Sequence, residues 1–486
     1  MAERAPSEAA VVGLLPDGNE TILRRAELER MSSARAATFT KVAKSAGGMA
    51  VICISAHRTP HTIVDIMAAI RAGLPVLPLD PSLPAEARER MLRYVRNTYA
   101  STIEARSSQL RLTEAKRKAT EIAGYFLATG GTSGGMKIVA RPGPVTYDPR
   151  LVPSRALSRA RWRAGQRQLI VGPLHHAAPF TCCLAGVLDE GTIVLPDKFD
   201  PAFIWRIIDS YRVEWFQLTP THMARMISSI SGDSARLSRI QGILHTAAFC
   251  PCQVKRRWLE LVDPSRIFEL YAATEDIGAT LASGEEWIQR PGTVGRGVLT
   301  QIRILDEKLN PLPAGSEGRI FMRAPGSRRG VARYLGRIPS EQTPDGFQSV
   351  GDYGWLDDDG YLFLAPRRED MITVAGKNVY PADIENVIAE HPLVSDVAVV
   401  GVPDTIFGSK IVAVVSTHGD QPLTLADLLS HCQSLLALHQ LPRSVHQVTR
   451  VPRNDAGKIQ RRLLPSLFGE AELWPHVLSI SNACAQ

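Results

Sequence analysis

Short runs of β-branched and apolar residues recur through the first half of the chain, separated by stretches of helical length. AVICIS (50–55), PVLPL (75–79), QLIVG (168–172), TIVLP (192–196) and WFQLTP (215–220) each read as a buried strand, and a helix is predicted near 61–72. Strands separated by helices predict α/β layers with largely parallel sheets. The 486 residues exceed one ordinary domain, so two to four domains or subdomains are expected. From about 290 the texture changes: QIRILD, GRIFMR and YLFLAP are short strands between Gly and Pro turns, predicting a β-rich subdomain over about 290–368. Beyond 370 a smaller α+β unit is expected, with a strand at 371–374, a helix at 381–390, strands at 395–401 and 411–416, and a helix at 424–438. Thr424 and Asp427 suit a capping box at the start of that last helix. The last 20 residues read as a loosely attached tail.

Composition narrows the function classes. An apolar fraction of 44% and a charged fraction of 22% are ordinary for a globular protein. The net charge of +7 is spread along the chain, and the densest basic run, 155–167, lacks the interleaved aromatics of a nucleic-acid stripe. Nucleic acid is therefore not an expected partner. The seven cysteines lack metal-type spacing, and Cys182, Cys183, Cys250 and Cys252 read as reduced packing thiols. MAERAPSEAA has no basic-then-apolar signal pattern, and no apolar run approaches the roughly 18 residues of a membrane span. A cytoplasmic protein without a membrane partner is expected.

TGGTSGGMK (129–137) follows GYFLA, a predicted strand. Its glycines let backbone N–H groups approach phosphate oxygens, and Lys137 adds a point charge. The spacing misses the common phosphate-loop pattern, because Met136 intervenes before the lysine and Ile138 replaces Ser/Thr. Locally, a mobile turn and a phosphate loop remain equal alternatives.

Six further segments, in order along the chain, carry a resemblance. They are PLHHAAPF (173–180), HTAAFCP (245–251), ELYAATED (269–276), GDYGWLDDDGYLFLAPRRED (351–370), VAGKNVYPADIE (374–385) and PRNDAGKIQRR (452–462). With the glycine loop, this series resembles the AMP-forming acyl-activating enzymes over about 40–465: acyl-CoA synthetases, adenylation domains of peptide synthetases, and luciferases. The resemblance implies a core over 1–368 and a mobile C-terminal lid domain over 369–486, hinged at Glu369.

It also implies roles for single residues. Thr129, Gly130, Gly131, Thr132, Ser133, Gly134 and Lys137 would hold the β- and γ-phosphates of ATP. Thr274 would contact the α-phosphate, and Glu275 would hold Mg²⁺, a hard cation suited to carboxylate and phosphate oxygens. Ala247 and Tyr271 would face adenine, Asp352 would accept from the ribose hydroxyls, and Arg367 would add a ribose or phosphate contact. His176 would stand at the mouth of the acid pocket, although a satisfied buried histidine is an equal alternative there. Lys458 would bridge the attacking carboxylate and the α-phosphate, offsetting charge as it develops.

The expected reaction is activation of a carboxylic acid, bulky or aromatic, followed by transfer to CoA. Met136, Ile138, Thr246, Phe249, Ala272 and Ala375 depart from the family pattern, and several fall where the acid or acceptor would sit. The alternative keeps adenylation with another acceptor: nitrite with an aryl amine, as in ATP-dependent diazotases, or a carrier protein. A degenerate nucleotide-binding protein is the third reading, and a homodimer is one open assembly.

Overall fold

The computed structural model describes residues 5–468 apart from 107–108, 116–122, 131–135, 143–154, 228, 231–236, 249, 274–276, 325–332, 336–340, 366–370, 375–376, 405–407 and 455–456. The chain divides into two units. The first comprises Met1–Phe249 with Val254–Phe363, and the second Cys250–Gln253 with Leu364–Gln486.

The first unit is built on two large sheets. Among the described residues one sheet has thirteen strands and the other seven. The centre of the larger sheet is parallel and runs Thr192–Pro196, Arg167–Ile170, Trp215–Leu218, Gly242–His245, Ile267–Ala272. Leu169, Ile170, Ile193, Val194, Trp215, Phe216 and Ile243 are fully buried. A strand covered on both faces has no polar face to alternate with, which is why these segments read as near-continuous apolar runs. The smaller sheet centres on Ala50–Ser55, flanked in parallel by Val76–Leu79 and Ser101–Arg106. The expected helix appears as Pro60–Arg71, with Pro60 in its first turn and Thr59 accepting from the Thr62 N–H as its cap.

Ala9–Leu14 still adds in parallel to Thr192–Pro196, and Ala123–Gly130 to Val76–Leu79. Towards the margins antiparallel pairing takes over, so the expectation of largely parallel sheets holds for the middle. Gln301–Leu305, Gly318–Arg323 and Gln348–Leu356 extend the large sheet antiparallel, as the β-rich texture predicts. Ala123–Gly130 and Met136–Pro142 form an antiparallel pair whose register sets Thr129 opposite Lys137 and Gly130 opposite Met136. The glycine loop is thus the connection of a hairpin.

The second unit closes its own core. Val394–Asp404 pairs antiparallel with Gly408–Thr417, which pairs in parallel with Ser444–Gln447. Alternate strand residues bury two clusters: Val397, Val399, Ala413 and Val415 in one, Ala398, Val402, Val412 and Val414 in the other. The helix Pro381–Ile388 packs in the first cluster through Ile384 and Ile388. Thr424 and Asp427 form the expected capping box, but the helix stops at Cys432 rather than near 438. Leu435 and Leu438 beyond it are 55% and 76% exposed, so a longer helix would have buried little apolar surface. Among the described residues no helix is long and apolar enough to cross a membrane. The C-terminal tail from 469 lies outside the described residues.

Candidate active site

In open α/β sheets ligands bind beyond the carboxyl ends of the parallel strands. Three sequence-predicted residues of the first unit lie at or just past such ends. Ala247 follows the Gly242–His245 strand, Tyr271 is the penultimate residue of Ile267–Ala272, and His176 follows the strand Arg167–Ile170.

Tyr271 and Asp352 are 81 residues apart in sequence, and the fold joins them: the Tyr271 hydroxyl donates to Asp352 Oδ2 at 2.7 Å. Asp352 lies within Gln348–Leu356. Both glycines of its GDYG motif have a structural reason. Gly351 adopts φ +80°, and a Cβ on Gly354 would come within 2.1 Å of the Phe363 carbonyl oxygen. The strand can therefore kink before Asp352 and press against its neighbour after it.

Ala247 adopts φ +82°, a left-handed conformation uncommon for any residue with a Cβ. Thr246 before it is buried, and Ala247 itself is exposed. His176 is the N-cap of Ala177–Leu188 but makes no side-chain cap hydrogen bond. It is half-buried, with its ring 4.4 Å from that of the buried His175.

Lys458 lies in the second unit and is exposed. A tight turn presents it. The Lys458 N–H donates to Asn454 Oδ1 at 2.8 Å, the Asn454 N–H donates to the Lys458 carbonyl at 2.9 Å, and Gly457 takes φ +79°. Arg453 anchors this turn, donating to Asp396 Oδ1 at 2.7 Å and to the Gly457 carbonyl at 2.8 Å.

Gly131, Thr132, Ser133, Gly134, Thr274, Glu275, Arg367, Glu369 and the departures Phe249 and Ala375 lie outside the described residues. Thr129, Gly130, Met136 and Lys137 are placed only through their strand register. Among the described residues no cluster of three metal-ligating side chains occurs.

Two features escaped the sequence reading. Several residues of the motifs hold the fold together: Glu385 accepts from Arg461 and from the Val399 N–H, Tyr361 donates to Glu286 at 3.0 Å, and Arg290 pairs with Asp357 at 3.2 Å. The second feature is a buried polar triad. Lys255, on the helix Cys252–Leu261, is fully buried and contacts His245 Nε2 and, at 3.2 Å, Glu269 Oε2. Burial, reinforced by the Lys255 charge, holds His245 well below its usual pKa. Burial raises that of Glu269 while Lys255 opposes the rise. Its sequence signal, a lysine in VKRRW beside charged neighbours, is indistinguishable from a solvated helix face.

Comparison with known proteins decides the family. The model of the AMP-binding enzyme matches residues 125–332, and that of the AMP-binding enzyme C-terminal domain matches 383–458. The chain belongs to the AMP-binding enzyme family. Among its relatives is a 4-chlorobenzoate–CoA ligase of Arthrobacter sp, 30% identical over 71% of this chain and 66% of its own length. A feruloyl-CoA synthase of Amycolatopsis sp is 31% identical over 63% of this chain and 62% of its own. The chain thus matches about two thirds or less of the length of these curated relatives. Solved AMP-binding folds match nearly throughout. An o-succinylbenzoate CoA synthetase of Bacillus subtilis, in complex with an acyl-adenylate intermediate, superposes with a TM-score of 0.76 at 22% identity, covering 95% of this chain and 96% of the other. An amide bond synthetase of Marinactinospora thermotolerans gives 0.76 at 22%, covering 96% and 98%. They show that this is the fold of adenylate-forming enzymes.

Proposed function

We propose that this chain activates a carboxylic acid with ATP, releasing pyrophosphate, and transfers the acyl group to CoA. The observation that carries it is the Tyr271–Asp352 pair at the carboxyl edge of the parallel strands, in a chain of the AMP-binding enzyme family. The pair suits a nucleoside. A carboxylate is an acceptor with two oxygens, and a ribose presents two adjacent hydroxyl donors. Asp352 would hold that diol and the Tyr271 ring would present a flat face to adenine.

The first step joins two anions, so positioning and charge neutralisation carry most of the catalysis. Lys137 and the loop amides would hold the β- and γ-phosphates, with the Thr129–Lys137 register bringing both strand ends to one place. Thr274 would position the α-phosphate, and Arg367 would add a ribose or phosphate contact. Lys458 would neutralise charge developing between carboxylate and α-phosphate. Glu275 would ligate Mg²⁺, which when bound screens the phosphate charge. Glu369 would be the hinge of the lid, and His176 would border the acid. Relatives named for 4-chlorobenzoate and ferulate favour an aromatic acid.

A second reading keeps adenylation and changes the acceptor to an amine, a nitrite and aryl-amine pair, or a carrier protein. Its support is that an amide bond synthetase has this same fold, so the fold alone does not choose the acceptor. One screen separates the two: pyrophosphate release over a panel of carboxylic acids, with and without CoA, with products read by mass. Acid-dependent pyrophosphate release and a CoA thioester are expected. Release without any thioester selects the second reading, and no release with any acid refutes both.

A further inference from the structure

The buried triad lies where the parallel ladder gives out. Cα pairing between the strands Gly242–His245 and Ile267–Ala272 ends on the row His245–Glu269. Past that row Thr246 donates its N–H to the Leu218 carbonyl on its other side at 3.3 Å and the chain turns at the left-handed Ala247, while the second strand continues to Tyr271. Among the described residues no backbone pair between these two strands fixes the spacing of Ala247 from Tyr271. Lys255 reaches across that last row and holds both residues of it.

The chemistry of the contact sets its polarity. A lysine ammonium carries only donors, so His245 Nε2 must accept and the ring proton sits on Nδ1. The imidazole is neutral, in line with its depressed pKa. The unit is therefore a buried ion pair with a neutral third member. Such a unit is a poor device for stability alone: burying two charges costs as much as it returns, and an apolar trio of similar volume would do as well. His245 Nδ1 is also buried without a hydrogen-bond partner among the described residues, a further cost. A directional, three-way contact does supply fixed geometry, and the residues it fixes flank the expected adenine contacts.

We infer that Lys255 is a positioning residue for the nucleotide, clamping His245 and Glu269 so that the Thr246–Ala248 segment and Tyr271 stand at a set separation for the purine. The inference rests on the proposed nucleotide-dependent reading of this site. A strained Ala247 requires surroundings that over-determine its conformation, and the clamp is one of them.

The test uses the full chain and AMP as the probe, measured by calorimetric titration beside thermal unfolding. Lys255→Met alone leaves the Glu269 carboxylate buried without its partner and is expected to unfold readily. The informative variant is the double Lys255→Met/Glu269→Gln, which removes both charges at similar volume. It is expected to melt within a few degrees of the wild type yet bind AMP about tenfold more weakly. His245→Gln, which keeps the ion pair, is the second variant. It is expected to weaken AMP severalfold with little change in melting. AMP affinity unchanged in either folded variant overturns the clamp while leaving the proposed function standing. A wild-type chain that binds no AMP overturns the proposed function and the clamp with it.

Discussion

At the scale of single residues, the Tyr271–Asp352 contact makes a graded prediction. Tyr271→Phe removes one hydrogen bond, net about 1 kcal/mol, and should raise the ATP KM severalfold with kcat nearly kept. Asp352→Asn keeps the shape but loses the charge that would take the ribose hydroxyls, and should cost far more. Steady-state kinetics of pyrophosphate release check both, and equal effects would sever Asp352 from the nucleotide. His222 makes a prediction about pH. It is buried, its Nδ1 accepts the Thr219 N–H at 3.3 Å, and burial beside Arg58 and Arg225 pushes its pKa down to about 3. The unfolded chain takes up a proton near pH 6.5 that the native state refuses until near 3. Stability from this group is therefore full above about 6.5 and lost as pH falls towards 3. His222→Asn should flatten that acid-side loss by about 1–2 kcal/mol between pH 6.5 and 5, read from denaturation midpoints at several pH values. An unchanged slope would show that His222 does not control it. The order of motifs made the family legible in the sequence. The sequence is silent on Lys255, because nothing in VKRRW distinguishes an inward lysine from a solvated one.

At the scale of elements, strands buried on both faces announced themselves as apolar runs, and most begin and end within two residues of the sequence reading. The antiparallel margins were less legible, since pairing direction depends on connections rather than on the strand's own residues. The helix Leu425–Cys432 shows the other limit: Thr424 and Asp427 marked its start, while its end is set by what there is to bury. Glycines carry a sharper element-scale prediction. Gly354→Ala forces a methyl to within 2.1 Å of the Phe363 oxygen, so the edge between Gln348–Leu356 and Leu362–Leu364 must open. A loss of roughly 2–4 kcal/mol in the urea midpoint is expected. Gly360→Ala, which meets nothing within 4 Å but holds φ +78°, should cost only about 1 kcal/mol. If the two variants melt alike, the close packing beside Gly354 is not what the glycine serves.

At the scale of the whole molecule, the chain has two units, and each closes a core of its own. Calorimetric unfolding should accordingly depart from a single two-state transition, with a van't Hoff enthalpy below the calorimetric one. Under the proposed mechanism Lys458→Ala should lower acid-dependent pyrophosphate exchange by a hundredfold or more and leave AMP binding intact, since Lys458 would act on developing charge rather than on the nucleotide. Loss of AMP binding in that variant would refute this division of labour. The helix that carries Lys255 also carries Trp258, whose indole donates to the Met223 carbonyl at 3.1 Å and stacks with Trp205 at 6.0 Å between ring centroids. Both indoles are almost fully buried, and Trp258 follows Lys255 by three residues on the same helix. Under the proposed clamp this pair is an optical probe: AMP that tightens the helix should shift the emission of the shielded indoles, so that a label-free fluorescence titration checks it.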